Sequence, residues 1–291
     1  MSIPVLSLVL AAALAFTHQD AQRAYSTAAR LVIDCTPREA GTAGGRAAAN
    51  FIVDEVGKSG LDAVRDAFAA DTPKGRRTLN NVYCSFCPDE TKPWIVLVSH
   101  YDTKPDVPCP GANDGASTTA LLIVLADAFK RWKEPTCNAL LVWTDGEECF
   151  REYGKGDGFW GSKRAAEHVR SQKGMNVKAV ICLDMLGDAD LRIMIPSNGT
   201  DSLALLAVEA AERIGRPGLV FRMAECVRDD HVAFLDAGYP SIDLIDFEYG
   251  PGNSYWHTSA DTIEHISHAS LLKSGMLVVE MVKSMFQEQP R

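Results

Sequence analysis

Three short, uninterrupted apolar runs constrain the fold of this chain most strongly. They lie at 95–98 (Ile-Val-Leu-Val), 139–142 (Ala-Leu-Leu-Val) and 180–183 (Val-Ile-Cys-Leu). Runs that are apolar throughout, rather than at alternate positions, are typical of strands covered on both faces of a sheet. Helical patterns separate the strand patterns, and this alternation is typical of parallel strands joined by helices. The sequence therefore predicts an α/β fold in which a twisted, mixed and mostly parallel sheet carries helices on both faces.

The other helix and strand patterns fill most of the remaining chain without a repeat or a low-complexity linker. The predicted strands are 78–86, 94–99, 138–144, 178–183, 190–195 and 240–246. The predicted helices are 20–34, 44–59, 115–132, 160–172, 201–215, 229–237 and 268–286. This unbroken order predicts a single domain over residues 16–291.

The N-terminal residues carry a separate signal. Residues 3–16 are almost wholly apolar and uncharged, but they are too few for the roughly 20 residues that cross a bilayer. The run ends in small residues, and Ala13-Leu14-Ala15 fits a cleavage site, which predicts a signal peptide over 1–15 and a secreted or periplasmic protein. The Lys or Arg that usually precedes such a run is missing. The alternative is a first helix packed on the domain of a cytoplasmic protein.

The charge balance argues against several partners. The chain has 29 Lys and Arg residues against 38 Asp and Glu residues, which gives a net charge of −9. Such a protein has no electrostatic attraction to nucleic acid or to an anionic membrane surface. We therefore expect no nucleic-acid partner and no membrane span.

Polar side chains follow the apolar runs at the point where each predicted strand ends. The residues are His100 and Asp102 after the first run, Glu147 and Glu148 after the second, Asp184 after the third, Asp114 before the next helix and His257 after the last predicted strand. Open parallel sheets bind ligands at the carboxyl ends of their strands. We therefore expect two imidazoles and several carboxylates to meet at one edge of the sheet.

Each of these residues is weak evidence when it is taken alone. An Asp before a helix is more often an N-cap, and a lone His or Glu is usually solvated. Together they are stronger evidence, because buried carboxylates are costly to desolvate unless a cation or hydrogen bonds compensate them. Oxygen and imidazole donors without thiolate suit catalytic zinc, which keeps one coordination position open. The adjacent pair Glu147 and Glu148 suits two roles, since neighbouring side chains diverge and one can bind metal while the other faces the reacting group.

These motifs resemble the zinc-dependent family that contains secreted aminopeptidases and glutaminyl-peptide cyclotransferases (glutaminyl cyclases). The motifs are Ser99-His100-Tyr101-Asp102-Thr103, Gly111-Ala112-Asn113-Asp114-Gly115-Ala116-Ser117, Asp145-Gly146-Glu147-Glu148, Gly161-Ser162, Leu183-Asp184-Met185-Leu186-Gly187, Asp229-Asp230-His231 and Trp256-His257-Thr258. They occur in one order and span nearly the whole chain after residue 20. The resemblance implies a zinc-exopeptidase-like α/β/α sandwich that forms one zinc-dependent catalytic domain.

The resemblance also implies roles for individual residues. Asp114, Glu148 and His257 would hold a zinc ion, and Glu147 would be the general acid and base. These four residues have the same roles in both branches of the family.

The two branches differ in a second metal position. In the aminopeptidase branch, the resemblance implies that His100 and Asp184 complete a second site, with Asp114 bridging both ions. In the cyclase branch a single zinc is typical, and Asp184 instead forms a hydrogen bond near the reacting amide, supported by Asp229. Because the chain carries both His100 and Asp184, the ligand set leaves one or two ions open.

Three local features place the chain closest to the cyclase branch. Aminopeptidases usually have Asp or Asn directly after the bridging aspartate, whereas this chain has Gly115. The run 229–235 resembles the cyclase form of that helix start. Trp256 directly precedes the ligand His257, and an indole there could wall the pocket for a glutamine side chain, although a half-buried core aromatic is the alternative. Trp160 is assigned to the same substrate pocket.

The predicted function is zinc-dependent conversion of an N-terminal glutamine to pyroglutamate with release of ammonia, on the N-termini of peptides or proteins. One zinc is expected, and a monomer is favoured. The alternative is a two-zinc aminopeptidase that hydrolyses the first peptide bond. A third hypothesis is a zinc-stabilised binding domain without activity.

Overall fold

An eight-stranded sheet runs through the computed structural model, which describes residues 14–87, 89–154 and 156–286. The strands are β1 (Ala63–Thr72), β2 (Gly75–Phe86), β3 (Trp94–His100), β4 (Asn138–Thr144), β5 (Val177–Asp184), β6 (Ile193–Ile195), β7 (Val220–Arg222) and β8 (Ser241–Ile245). Their order across the sheet is β1-β2-β4-β3-β5-β8-β6-β7. The central strands β4, β3, β5 and β8 are parallel neighbours, and antiparallel pairs join β1 to β2, β2 to β4 and β6 to β8. The predicted α/β fold with a mixed sheet is confirmed.

Helices cover both faces of this sheet. They are α1 (His18–Cys35), α2 (Ala43–Lys58), α3 (Thr118–Arg131), α4 (Trp160–Ser171), α5 (Asp201–Arg213), α6 (His231–Asp236) and α7 (His268–Met285). Alternate residues of the apolar strands face opposite layers: Leu97 and Leu141 pack with α1, α3 and α7, while Val96 and Val142 pack with α4 and α6. Burial on both faces is the reason that these strands are apolar throughout.

The two strands that the sequence patterns miss, β1 and β7, lie at the two edges of the sheet. A strand at the edge of a sheet is less buried than a central strand, so fewer of its residues have to be apolar. Most of β1 is exposed or half-buried, and its sequence is rich in Ala and Asp. β7 is only three residues long.

The segment before α3 departs from the predicted helix over 115–132. Residues Ala112–Ser117 form a π-helical turn, and Asp114 has non-helical backbone angles (φ −102°, ψ 91°). The regular helix starts at Thr118. Asp114 is therefore not an N-cap, and its side chain remains available for another role.

A buried arginine fastens the loops that surround this turn. The Arg38 side chain is fully buried and donates hydrogen bonds to the carbonyls of Tyr101 (2.8 Å), Pro110 (2.9 Å) and Gly111 (2.7 Å). These carbonyls flank the segments that carry His100 and Asp114. The connection between α1 and α2 thus positions loops that follow in the chain.

The N-terminal prediction falls almost entirely outside the described residues, because the signal peptide is assigned to 1–15. The first described residue, Leu14, is buried in the core, and Phe16 packs on Gly275 of α7. Of the two described residues that cleavage after Ala15 would remove, Leu14 is buried and Ala15 is exposed. Among the described helices, none combines the length and the apolar character that a membrane-spanning helix requires.

Candidate active site and metal centre

Residues at or just after the carboxyl ends of β4, β5 and β8 border a cavity of about 260 Å³. One side of it is acidic, with the carboxylates of Asp114, Glu147, Glu148, Asp184 and Asp229. The other side is largely apolar and is formed by Val227, Ile245, Phe247 and Trp256. The predicted meeting of polar residues at one edge of the sheet is thus present in the structure.

The proposed zinc ligands form a compact group beside this cavity. The Nε2 atom of His257 lies 2.9 Å from Oε1 of Glu148 and 3.3 Å from Oδ2 of Asp114. Zinc ligands lie about 2.0–2.2 Å from the ion, so tetrahedral ligand atoms are roughly 3.3–3.6 Å apart. The separation of His257 and Asp114 (3.3 Å) matches this spacing, and that of His257 and Glu148 (2.9 Å) is slightly shorter. Both carboxylates are buried, and two buried acids next to an imidazole are compensated well by a cation. The residues present therefore fit a divalent zinc ion.

A second group of possible ligands shares one residue with the first. The Nε2 atom of His100 lies 3.0 Å from Oδ1 of Asp184 and 3.1 Å from Oδ1 of Asp114. Asp114 thus offers one carboxylate oxygen to each group. The structure brings together every residue that the resemblance assigns to one or two metal positions.

The segments that carry the acidic residues are held by other buried carboxylates. Asp102 accepts hydrogen bonds from the backbone N–H groups of Glu147 (3.1 Å) and Glu148 (3.2 Å). Asp261 accepts hydrogen bonds in the same way from the backbone N–H groups of Asn113 (2.7 Å) and Asp114 (3.2 Å). Because each pair of bonds fixes a short stretch of backbone, the side chains on it have little freedom.

A glycine allows the turn between β4 and the two glutamates. Gly146 has φ +79°, and a Cβ atom there would lie 2.5 Å from the side chain of Leu79. A residue with a side chain would therefore be strained and would collide with the core. This close packing sets the direction in which Glu147 and Glu148 leave the strand.

Glu147 has the electrostatic surroundings of a proton carrier. Its side chain is 5% exposed and borders the cavity. Burial, followed by repulsion from Glu148, raises the pKa of Glu147 well above its usual range. A carboxyl group whose pKa is moved toward neutrality can both accept and return a proton at physiological pH.

Asp184 and Asp229 both line the cavity, as the sequence predicts. Burial is the main cause that raises the pKa of Asp184 to about 6 and that of Asp229 to about 7. Asp229 also accepts a hydrogen bond from the thiol of Cys182 at 3.3 Å. Both carboxyls are therefore buried acceptors that border the same cavity.

Trp256 lies on the apolar wall and is held by two rings. Its indole stacks on His257 with 3.9 Å between ring centroids and contacts Phe247 at 5.2 Å. Only part of the indole is exposed. The side chain therefore borders the cavity and also packs against the ligand imidazole.

Trp160, which the sequence analysis assigns to the substrate pocket, is not among the residues that line this cavity. The side chain packs with Ala40, Ala70 and Leu79. The chain passes through a left-handed Phe159 (φ 58°) immediately before α4 starts at Trp160. This turn directs the indole behind Gly146, away from the cavity that Glu147 borders.

The comparisons with known proteins agree with this geometry. A model of peptidase family M28 matches residues 81–282 of the chain. The chain belongs to peptidase family M28. The family recognised from the sequence motifs is therefore confirmed.

Relatives in family M28 carry two kinds of name. The chain is 26% identical over 270 residues to the glutaminyl-peptide cyclotransferase of Drosophila melanogaster, which covers 83% of this chain and 75% of that protein. The crystal structure of an Acidobacteriales bacterium glutaminyl cyclase superposes with a TM-score of 0.86 and 32% identity over 98% of this chain and 99% of that one. The aminopeptidase YwaD of Bacillus subtilis is 29% identical over 196 residues, 65% of this chain and 40% of that protein.

The sequence motifs do not identify some residues of this M28 site. Tyr153 contacts both glutamates, although it lies in a loop without a repeating pattern. Lys104 lies 3.3 Å from Oε2 of Glu148, and its place just after the His100 motif was the available signal. Phe247 reaches the cavity from the loop that follows β8. These residues are identified by distance in space and not by spacing in the chain.

Proposed function

We propose that this protein is a zinc-dependent glutaminyl-peptide cyclotransferase, which converts an N-terminal glutamine to pyroglutamate and releases ammonia. The observation that carries this proposal is the placement of Glu147 beside the Asp114, Glu148 and His257 group, in a cavity with one acidic and one aromatic side. The similarity to a glutaminyl cyclase structure over 98% of this chain supports it.

The three ligand residues would hold one zinc ion. A bound zinc ion would act as a Lewis acid toward the γ-carbonyl of the substrate glutamine. The remaining chemistry belongs to residues of the chain and to the substrate itself.

The reaction joins two groups of the same substrate residue. The α-amine nitrogen attacks the γ-amide carbon, a new C–N bond closes a five-membered ring, and the bond to the amide nitrogen breaks. Glu147 takes a proton from the attacking amine and returns it to the departing nitrogen, so that ammonia leaves. Its raised pKa suits both transfers. Because both groups are already joined, orientation contributes more than an external nucleophile would.

The acidic side of the cavity orients the substrate. Asp184 would accept a hydrogen bond from the amide N–H₂ group, and Asp229, which borders the same cavity, would support it. The carboxylates there also attract a cationic amino terminus, which loses its additional proton to solvent before its nitrogen attacks. The apolar wall, which includes Trp256, would contact the aliphatic part of the glutamine side chain.

Gly115 supports the cyclase in preference to the aminopeptidase. A Cβ atom at this position would lie 2.7 Å from Nε2 of His100 and 2.6 Å from its carbonyl oxygen. The Asp or Asn that aminopeptidases usually carry here would require His100 to move. The His100 imidazole therefore occupies the space that the Asp or Asn side chain of an aminopeptidase would need at position 115.

The experiment is a paired assay of the zinc-loaded protein. Ammonia release from a peptide that begins with Gln is followed beside amine release from aminoacyl-arylamides. The cyclase predicts ammonia, a product lighter by one ammonia and no cleavage. Cleavage of the first residue without ammonia would refute the cyclase.

A two-zinc aminopeptidase is the second candidate, and the His100, Asp114 and Asp184 group favours it. In that enzyme Glu147 would deprotonate a water molecule that attacks the first peptide bond. Zinc titration separates the two candidates, because one equivalent supports full activity of the cyclase and two are needed by the aminopeptidase.

Location and assembly follow as smaller proposals. Export to the periplasm or the medium is supported by the apolar N-terminal run and is tested by the N-terminal sequence of the protein recovered from producing cells. A monomer is tested by light scattering of the purified protein.

A further inference from the structure

Tyr153 lies between the two glutamates that the proposed function assigns to different roles. Its hydroxyl oxygen is 2.9 Å from Oε2 of Glu148 and 3.2 Å from Oε2 of Glu147. A phenol has one proton and can also accept a hydrogen bond. The hydroxyl can therefore donate to one carboxyl group while it accepts from the other.

The two oxygens of Glu148 have different neighbours. Oε1 lies 2.9 Å from Nε2 of His257, within the proposed ligand group. Oε2 faces the Tyr153 hydroxyl and also the ammonium group of Lys104 at 3.3 Å. Among the described residues, donors outside the ligand group contact Oε2 and not Oε1, so the carboxylate is oriented to bind through Oε1.

The Tyr153 ring itself has little room to move. It stacks on Phe159 with 4.8 Å between ring centroids, and the Lys104 ammonium lies 5.0 Å from its centroid. Gly158 has φ +79°, and a Cβ atom there would lie 2.9 Å from a ring carbon. Arg228 donates a hydrogen bond to the Tyr153 carbonyl at 3.0 Å. The hydroxyl is therefore held in place before any ligand arrives.

We propose that Tyr153 is a positioning residue that sets both glutamates through one hydroxyl group. It keeps Oε2 of Glu148 away from the ion, so that Glu148 offers Oε1, and it holds Glu147 at a fixed distance from the ligand group. This inference rests on the proposed function, since that function assigns the two carboxylates their separate tasks. Groups that orient metal ligands typically change metal affinity or activity 10- to 100-fold when they are removed.

The test is Tyr153→Phe, which removes the hydroxyl and keeps the ring. We expect kcat for ammonia release to fall roughly 10- to 100-fold while KM changes by less than about threefold, because the substrate does not need this hydroxyl to bind. We also expect the zinc dissociation constant, measured by competition with a coloured chelator, to rise about tenfold. The matched control is Tyr83→Phe, whose hydroxyl is buried and hydrogen-bonded to Asn81 away from the cavity. It should leave kcat and zinc affinity unchanged.

Phe159→Leu provides a second variant, because it removes the ring that stacks on Tyr153 but leaves the Tyr153 hydroxyl in place. A loss of kcat and of zinc affinity in the same direction supports the proposal. Unchanged kcat and unchanged zinc affinity in Tyr153→Phe would overturn it. Absence of ammonia release by the wild-type protein would refute the cyclase instead, and the ratio of zinc affinities would still test the role of Tyr153.

Discussion

The acidic and the apolar sides of the cavity are built in different ways. On the acidic side, Glu147 and Glu148 follow a buried strand, and the backbone N–H groups of both residues are bound by Asp102. On the apolar side, Phe247 and Trp256 belong to loop segments and are held mainly by contacts between rings. The acidic side is therefore held by hydrogen bonds and is suited to chemistry. On the apolar side, Trp256 is coupled to the ligand His257 by stacking, whereas Phe247 packs on Trp256 and can change with less effect on the ligands.

The largest expected effect comes from the acidic side. Glu147→Gln should lower kcat by about 1000-fold, because general acid and base catalysis contributes roughly 10²- to 10⁴-fold. Zinc content and the thermal unfolding temperature should stay at wild-type values, since Gln preserves the shape of the side chain. The exposed Glu209→Gln on α5 is the matched control. Turnover retained by Glu147→Gln would remove this residue from the mechanism.

The next effect tests whether the acidic side depends on Asp102, which binds the backbone N–H groups of Glu147 and Glu148. Asp102→Asn places an N–H₂ group against one of the two backbone N–H groups that the carboxylate now accepts. We expect kcat to fall about 100-fold and the free energy of unfolding to fall by about 1–3 kcal/mol, the usual cost of leaving a buried donor unpaired. Urea unfolding and steady-state kinetics measure the two losses. Wild-type kcat in this variant would mean that the glutamates hold their positions without the anchor.

A pH-dependent effect is expected at His231, just beyond Asp229 at the start of α6. The ring is buried, and burial lowers its pKa from 6.5 to about 4. Between pH 6.5 and 4 the unfolded chain binds a proton that the folded protein does not, so this residue makes the folded protein less stable as the pH falls. The loss at pH 5 is about 2 kcal/mol relative to pH 7.5, from 1.36 kcal/mol per pKa unit.

The measurement compares urea unfolding of wild type and His231→Asn at pH 7.5 and pH 5. The variant should lose less stability than wild type on acidification, because it lacks the titrating ring. Equal losses in the two proteins would show that His231 is protonated in the folded state.

The smallest effect belongs to the apolar side. Phe247→Ala removes a ring from the cavity wall and should raise KM for a Gln-initiated peptide about tenfold, consistent with roughly 1.5 kcal/mol of lost apolar contact. Zinc affinity should not change, because the Phe247 ring packs on Trp256, which in turn stacks on the ligand His257. Phe221→Ala on β7, where the ring is largely exposed, is the control. A large loss of zinc affinity in Phe247→Ala would mean that the two sides are not independent.

The sequence predicts the rigid parts of the molecule well, and the reason is physical. All six predicted strands form, because burial on both faces or pairing within the sheet leaves a pattern in the residues themselves. The carboxyl ends of those strands then place His100, Glu148 and Asp184 without further information. The edge strands β1 and β7 are not predicted from the sequence, because exposed strand positions do not require apolar residues.

The site residues that the sequence motifs do not place correctly in the cavity lining, or do not name, depend on contacts between distant segments. The side chain of Trp160 is turned away by the left-handed backbone at Phe159, which no apolar period encodes. Tyr153 and Lys104 reach Glu148 only after two loops have come together. Such residues can be identified only from the positions of their side chains in the folded protein.

The contacts of Arg38 affect which fragment of the chain could carry this site. Every proposed zinc ligand, together with Glu147, lies inside the stretch 81–282 that matches the family. The guanidinium that binds the carbonyls of Tyr101, Pro110 and Gly111 lies outside it. A fragment that began at residue 81 would thus contain all of these ligands and Glu147. The loops that carry His100 and Asp114 would nevertheless lack the hydrogen bonds from Arg38.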